Sequence, residues 1–283
     1  MMTESYQNQA EWLLKEYVLA DSFIPYTSVV FGIFACKMVY DVTQLFSTIY
    51  FKSYSNLSKL QRTEWNNRSI STMHAIFITV MALYFVFWSD LFSDSQHAGL
   101  ITFRSSSLST FALGASVGYF LADIGMIIWF YPSLGGMEYV IHHLLSVVSV
   151  AYSMMTGEGQ LYTFMVLISE TTTPGINLRW YLDTAGMKRS RAYLINGVVI
   201  FVAWLVARIL LFLYLFYHVY LHYDQVYKFM RNVTINTFNL HVICLFWHMV
   251  ELKKPKTMLM VFKKLIGVRP SNAFSNMGES SFT

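Results

Sequence analysis

The sequence EYVIHHLLSVV (138–148), followed by ISETTTPGINLRW (168–180), decides the class of the fold. Both stretches lie in or beside apolar segments of membrane-spanning length, yet they carry the ionisable residues His142, His143 and Glu170. Ionisable side chains are costly at that depth and usually face a bundle interior, a water-filled cavity or a ligand. This part of the chain is therefore the expected functional centre.

The composition indicates an integral membrane protein. Of the 283 residues, 55% are hydrophobic and only 13% are charged, which is typical of a polytopic membrane protein. The formal net charge of +4 does not indicate a nucleic-acid partner, because the basic residues concentrate in a few loops where membrane topology explains them. The lipid bilayer is the expected environment, and no nucleic acid is expected as a ligand.

Seven stretches are long and apolar enough for a transmembrane helix, which needs about 20 residues. We therefore predict an all-α fold, a polytopic membrane helical bundle of about seven transmembrane helices that surround a central lipid-accessible cavity. The predicted spans are 23–45, 70–92, 108–131, 138–156, 160–178, 193–221 and 232–250.

The fifth predicted span has the weakest helical pattern. It is polar after Ser169 and contains Pro174 and Gly175, which break or kink a helix. We expect its cytosolic end to unwind, since irregular backbone is tolerated at membrane depth where protein or a cavity covers it.

Lys and Arg are distributed unevenly between the two sets of connecting loops. With the N-terminus outside, fourteen of them fall on the cytosolic side and four on the other side. Cytosolic loops carry the excess of these residues. We therefore expect a lumenal N-terminus, an odd number of spans and a cytosolic C-terminus.

Several ionisable residues share one depth in the predicted bundle. Counted along the spans with a rise of about 1.5 Å per residue, they lie roughly 6–12 Å from the cytosolic boundary. A site built inside a helix bundle requires such convergence from separate helices. The residues are His74, Asp123, His142, His143 and Glu170.

The adjacent histidines His142 and His143 cannot both point at one centre, because successive helical residues project about 100° apart. We expect one to face the cavity and the other to pack against a neighbouring helix. A neutral imidazole can act as a base or nucleophile, and a carboxylate such as Asp123 can hold its tautomer. A buried polar network that only fixes helix packing is the alternative interpretation.

Arg208 lies near the middle of the sixth predicted span, where an unpaired guanidinium is very costly. Glu170, Asp123, a lipid headgroup or an acidic ligand are the candidate partners. Lys37 and Asp41, four residues apart in the first span, can neutralise each other. No metal site is expected, because His142 and His143 lack a histidine partner at i, i+4 and the chain has no thiolate cluster.

Ordered motifs along the chain resemble one known family, the TLC domain, named for TRAM, Lag1 and CLN8. Within it, the combination is most similar to the branch called TLC domain-containing protein 4, or transmembrane protein 56. The motifs are EWNNRSISTMHA (64–75), GYFLADI (118–124), IHHLLS (141–146), ETTTPGINLRW (170–180), INGVVIFVAWLVARI (195–209) and, more weakly, NLHVICLFWHM (239–249).

The resemblance implies an endoplasmic-reticulum or endomembrane protein whose helices surround a cavity for lipid synthesis, sensing or transport. In the ceramide-synthase members, a paired histidine is catalytic in acyl transfer from acyl-CoA. His142 and His143 match that pair, and Asp123 matches an acidic position in the preceding span. Those members continue with an Asp-rich segment, whereas ISETTTPGINLRW (168–180) carries a single carboxylate.

Four regions of the chain are expected. Residues 1–22 form a lumenal lead-in, 23–54 the first transmembrane helix and linker, 55–250 a TLC domain of six transmembrane helices, and 251–283 a basic and then disordered cytosolic tail.

The first hypothesis is a protein of lipid homeostasis that binds, senses or moves a membrane lipid in a polar-lined cavity. The second is an N-acyltransferase similar to ceramide synthase, with His142, His143 and Asp123 as catalytic residues and acyl-CoA as co-substrate. The third is a trafficking or chaperone factor for membrane proteins. No other cofactor is expected, and homo-oligomerisation is left open. The expected cavity residues are His74, Asp123, His142, His143, Glu170, Asn177, Arg179, Trp180 and Arg208.

Overall fold

The computed structural model describes residues 23–93 and 101–222, and this part of the chain is helical without a β-strand. Five of its helices are long and apolar enough to cross a membrane. They correspond to the first, second, third, fourth and sixth predicted spans and confirm an all-α polytopic bundle. The predicted seventh span, the lead-in and the tail lie outside the described residues, so the number of seven spans and the orientation of the termini stay predictions.

The helices follow one another with short connections. The second and last long helices each contain a stretch of π-helix, Tyr84–Trp88 and Leu205–Leu210. The α-helices are α1 (Ile24–Tyr50), α2 (Lys52–Ser55), α3 (Lys59–Leu83), α4 (Ser107–Trp129), α5 (Met137–Thr156), α6 (Gln160–Leu167), α7 (Thr173–Thr184), α8 (Arg191–Trp204) and α9 (Leu211–Leu221).

Helix α3 begins eleven residues before the second predicted span, at a well-formed cap. The Ser58 hydroxyl accepts a hydrogen bond from the Gln61 backbone N–H (3.3 Å), and the Gln61 side chain accepts one from the Ser58 N–H (3.0 Å). This capping box satisfies two donors that the first helical turn otherwise leaves unpaired. The polar sequence EWNNRS (64–69) is therefore helical and lies inside the bundle, where Asn66 is only 1% exposed.

Helix α4 forms the centre of the bundle, and every residue from Ala112 to Phe120 is buried. Its contact with α1 is close because both helices present small residues. A Cβ atom on Gly118 would lie 2.4 Å from the Val29 carbonyl oxygen, and one on Gly32 would lie 2.4 Å from the Ala115 carbonyl oxygen. Small residues allow such backbone approach between membrane helices.

The fifth predicted span is broken, but not where the sequence indicated. Helix α6 ends at Leu167, a 3₁₀ turn follows over Ile168–Thr172, and α7 then continues as a regular helix. The expectation that this end unwinds was wrong. Pro174 lies in the first turn of α7, where proline's missing N–H and fixed φ suit a helix start.

The α1–α4 contact gives a direct test of packing. We expect Gly118→Ala to lower the free energy of unfolding by about 1–3 kcal/mol, the usual cost of overpacking, because the added methyl group meets backbone that cannot rotate away. The matched control is Gly125→Ala in the same helix, where an added Cβ has no neighbour within 4 Å. Thermal unfolding of both variants in detergent checks this, and equal stability of the two variants would contradict it.

Candidate functional site

A carboxylate at the centre of the bundle ties three helices together. Asp123 of α4 accepts a hydrogen bond from the Asn67 amide of α3 at 2.8 Å. Its other oxygen lies 2.7 Å from His143 Nε2 of α5, and the side chains of His143 and Asp123 are only 11% and 6% exposed. Both carboxylate oxygens therefore have partners, as a buried acidic group requires. Asp123 thus contacts one histidine of the pair, His143, and its expected role of orienting that histidine stays a prediction.

The second ring nitrogen of His143 is also occupied. Nδ1 lies 3.0 Å from the backbone carbonyl of Tyr139, one turn earlier in α5. A carbonyl can only accept, so Nδ1 donates. Nε2 then shares a proton with Asp123, whichever of the two groups carries it. His143 has no free nitrogen with which to abstract a proton or attack a carbonyl in this arrangement.

His74 is the most unusual side chain of the site. It is 7% exposed, its ring stacks on Tyr119 with centroids 3.8 Å apart and planes 13° apart, and the edge of Phe120 closes a further side. Within the described part of the chain neither of its ring nitrogens has a hydrogen-bond partner. Aromatic contacts fix this imidazole, but its polar atoms are unsatisfied.

His142 lies beside the Asp123–His143 pair and faces two further charges. Its ring is perpendicular to that of His143, with centroids 5.3 Å apart, and the charges of Glu170 and Arg208 act on it. The 3₁₀ turn that carries Glu170 packs against the π-helical segment that carries Arg208. These residues belong to one neighbourhood, although a direct ion pair between Glu170 and Arg208 stays a prediction.

Asn177 of α7, which we expected to line the cavity, forms its hydrogen bonds with α3. Its amide NH₂ lies 3.1 Å from the Arg68 carbonyl and 3.0 Å from the Thr72 hydroxyl. Its oxygen accepts from the Arg68 guanidinium at 3.1 Å. The amide is fully committed to α3, so Asn177 fastens α7 to α3 and does not reach Asp123.

Arg179 and Trp180 likewise lie outside the central cluster, by which we mean Asn67, His74, Tyr119, Asp123, His142 and His143. The Arg179 guanidinium stacks 4.0 Å from the centre of the Tyr193 ring, on α8. The Arg68 guanidinium carbon lies 4.7 Å from the centre of the Trp180 ring. The Trp180 ring also packs edge-on against Trp65, with ring centroids 6.1 Å apart. Cation–π contacts of this kind stabilise helix packing, and both residues serve the α3–α7–α8 contact.

Sequence reasoning found most of the central cluster but missed two of its members. Asn67 holds the Asp123 carboxylate and Tyr119 supports the His74 ring. A signal for Asn67 existed in EWNNRSISTMH (64–74), because polar residues recur there at helical spacing. The residues with that spacing form the face of α3 that is directed toward the site. Tyr119 gave no such signal among many aromatic residues. Among the described residues, no group of three or more His, Cys, Asp or Glu side chains could hold a metal ion.

Comparison with known protein families identifies the domain that contains this site. The family model described as "TLC domain" matches residues 64–255, which is more than half of the chain and includes the whole central cluster. The chain belongs to the TLC-domain family. The resemblance inferred from the ordered motifs is thereby confirmed.

Similar proteins carry the same domain name. TLC domain-containing protein 4-B of Xenopus laevis is 29% identical over 159 residues, which is 55% of this chain and 58% of the relative. Human TLC domain-containing protein 4 is 27% identical over 175 residues, or 61% of this chain and 64% of the relative. The chain thus spans about three fifths of these two relatives. No solved structure matches the chain.

The buried pair allows a test by double-mutant cycle. We expect Asp123→Leu or His143→Leu alone to cost about 3–5 kcal/mol of stability, because each leaves an uncompensated polar partner in the core. The double variant should lose less than the sum of the two, since it leaves neither partner unpaired. Unfolding of all four proteins in detergent measures the coupling, and strictly additive losses would show that the pair is not formed.

Proposed function

We propose that this membrane protein binds the polar headgroup of a membrane lipid at the cluster around His74, and that it acts in lipid homeostasis by binding, sensing or moving that lipid. The endoplasmic reticulum or a related endomembrane is the proposed location, on the strength of the family resemblance. The single observation that supports the proposal is the buried His74 ring, whose two nitrogens have no partner among the described residues.

An unsatisfied buried polar group costs about 1–3 kcal/mol. Native proteins rarely keep such a group without a reason, and a ligand that supplies the missing hydrogen bonds is one such reason. The stacking on Tyr119 holds the ring in place when no ligand is bound. Such preorganisation lowers the entropy lost on binding.

The polar and charged side chains near His74 and His142 favour one kind of lipid headgroup. A neutral imidazole offers one donor and one acceptor, which a hydroxyl or an amide group can satisfy. Asp123 and Glu170 provide negative charge, and Arg208 provides positive charge near His142. A lipid with a hydroxyl- or amide-bearing headgroup fits this mixed environment better than a headgroup of one strong charge.

Binding is favoured over acyl transfer by the state of His143. Both of its nitrogens are engaged, by Asp123 and by the Tyr139 carbonyl, so it lacks the free nitrogen of a general base or nucleophile. One observation keeps acyl transfer as a second candidate. His142 lies next to the Asp123–His143 pair and close to the charged side chains of Glu170 and Arg208. In that reaction the His142 nitrogen would attack the acyl-CoA thioester, the C–S bond would break, and CoA would leave as the thiol with the imidazole proton.

Lipid retention by a His74 variant tests the proposal. We expect His74→Phe to preserve the stack on Tyr119 while removing both nitrogens, so that native mass spectrometry of the purified protein detects several-fold less co-purified lipid. The variant should be at least as stable as the wild type, because it removes an unsatisfied polar group. The matched control is Met73→Leu, on the adjacent and exposed position of α3, which should retain the lipid.

Two results would overturn this proposal. One is equal lipid occupancy in wild type and His74→Phe; the other is a large loss of stability in His74→Phe, which would make the ring a packing element. Incubation of the same preparations with long-chain acyl-CoA separates the two candidate functions. A covalent acyl mass that disappears in His142→Ala would favour acyl transfer, whereas the binding proposal expects no covalent adduct.

A further inference from the structure

A half-open cavity with polar and apolar lining lies away from the central cluster. It occupies about 420 Å³ between the end of α1 and the beginning of α3, within the range of pockets that hold small ligands. It borders the 51–58 connection, at the membrane face predicted to be cytosolic. Its lining is formed by Tyr40, Gln44, Thr48, Tyr54, Leu57, Lys59, Arg62, Thr63 and Asn66.

Helix α3 separates this cavity from the central cluster. Asn66 lines the cavity, whereas its neighbour Asn67 binds Asp123 on the other side. Successive helical residues point about 100° apart, so the two faces of α3 serve two different places. The cavity is not a part of the site around His74.

The charged side chains of the lining are all basic. Lys59 and Arg62 contribute positive charge, and no Asp or Glu is among the lining residues. Arg62 is fixed by hydrogen bonds from Nε to the Leu57 carbonyl (3.1 Å) and from Nη2 to the Ser55 carbonyl (2.7 Å). The Lys59 ammonium has no hydrogen-bond or ion-pair partner in the described residues.

Buried neutral groups complete the floor of the cavity. The Tyr54 hydroxyl donates to the side-chain amide oxygen Oδ1 of Asn66 at 3.2 Å, and these residues are 3% and 1% exposed. Because that oxygen is occupied, the remaining hydrogen-bonding group of the Asn66 amide is its NH₂ donor. The exposed cations and the Asn66 NH₂ group together offer an anion several N–H groups.

We propose that this cavity binds an anionic phosphate group. Phosphate oxygens are strong acceptors that suit Lys and Arg donors, and basic residues at a membrane boundary recognise anionic lipid headgroups. The phosphate can come from a lipid such as phosphatidic acid or from a soluble phosphate compound. Lys59 and Arg62, at the start of α3, then do more than set membrane topology.

The test uses the full chain in nanodiscs of neutral phosphatidylcholine. Binding of dihexanoyl phosphatidic acid, inorganic phosphate and dihexanoyl phosphatidylcholine is measured by native mass spectrometry and calorimetry. We expect phosphatidic acid to bind in preference to phosphatidylcholine. Binding of phosphatidic acid without inorganic phosphate assigns the site to a lipid headgroup, and binding of both assigns it to the phosphate group from either source.

Three variants separate a built site from a diffuse surface charge. Lys59→Gln should weaken phosphatidic-acid binding about fivefold, the effect of one cation near a membrane surface. Thr48→Phe, at an exposed position of the lining, should block the cavity without loss of a charge. Lys52→Gln removes another exposed charge, in the connection before α3 and outside the cavity, and should bind as the wild type does. Loss in Lys52→Gln equal to that in Lys59→Gln, or full binding by Thr48→Phe, would overturn the proposal.

Discussion

The buried carboxylate of Asp123 is the constraint on which the described structure depends. A lone charge at this depth in a membrane bundle is expensive, and hydrogen bonds from Asn67 and the contact with His143 compensate for it. These partners lie on the helices at either side of α4, so satisfying one acidic group sets the relative depth of three helices. The Tyr139 carbonyl then completes the bonding of His143.

Close packing makes this arrangement rigid. The glycines of the α1–α4 contact let the two backbones approach, and the Asn177 amide fastens α7 to α3. A frame of this kind can hold the His74 imidazole without a hydrogen-bond partner among the described residues, because the aromatic rings of Tyr119 and Phe120 leave it little room to turn. No hydrogen-bond partner of the His74 nitrogens lies in the described part of the chain, and we propose that a lipid headgroup supplies the missing hydrogen bonds.

The sequence predicted the fold class and the core of the cluster because both depend on strong local signals. Apolar stretches of membrane length marked the spans, and the rarity of ionisable residues within them marked Asp123 and His143. The exposed Lys37–Asp41 ion pair was confirmed for the same reason, since residues four apart meet on any helix. Such signals need no knowledge of tertiary contacts.

What the sequence could not supply was the direction in which side chains point. Asn177, Arg179 and Trp180 share the motif of Glu170 and were assigned to the cavity, but their partners Arg68 and Tyr193 lie on other helices. The position of the break before α7 also depended on context, because proline both interrupts a helix and begins one. Whether the cluster borders a lipid-accessible cavity stays a prediction, as the predicted seventh span lies outside the described residues.

The central claim is that a lipid headgroup enters the bundle and reaches His74. The most direct measurement is photocrosslinking in membranes with a lipid that carries a diazirine at its headgroup, followed by peptide mapping of the attachment sites. We expect attachment within 71–78 of α3 and 139–146 of α5. Attachment confined to outward-facing positions such as Val30 and Phe34, which are 67% and 62% exposed, would contradict it.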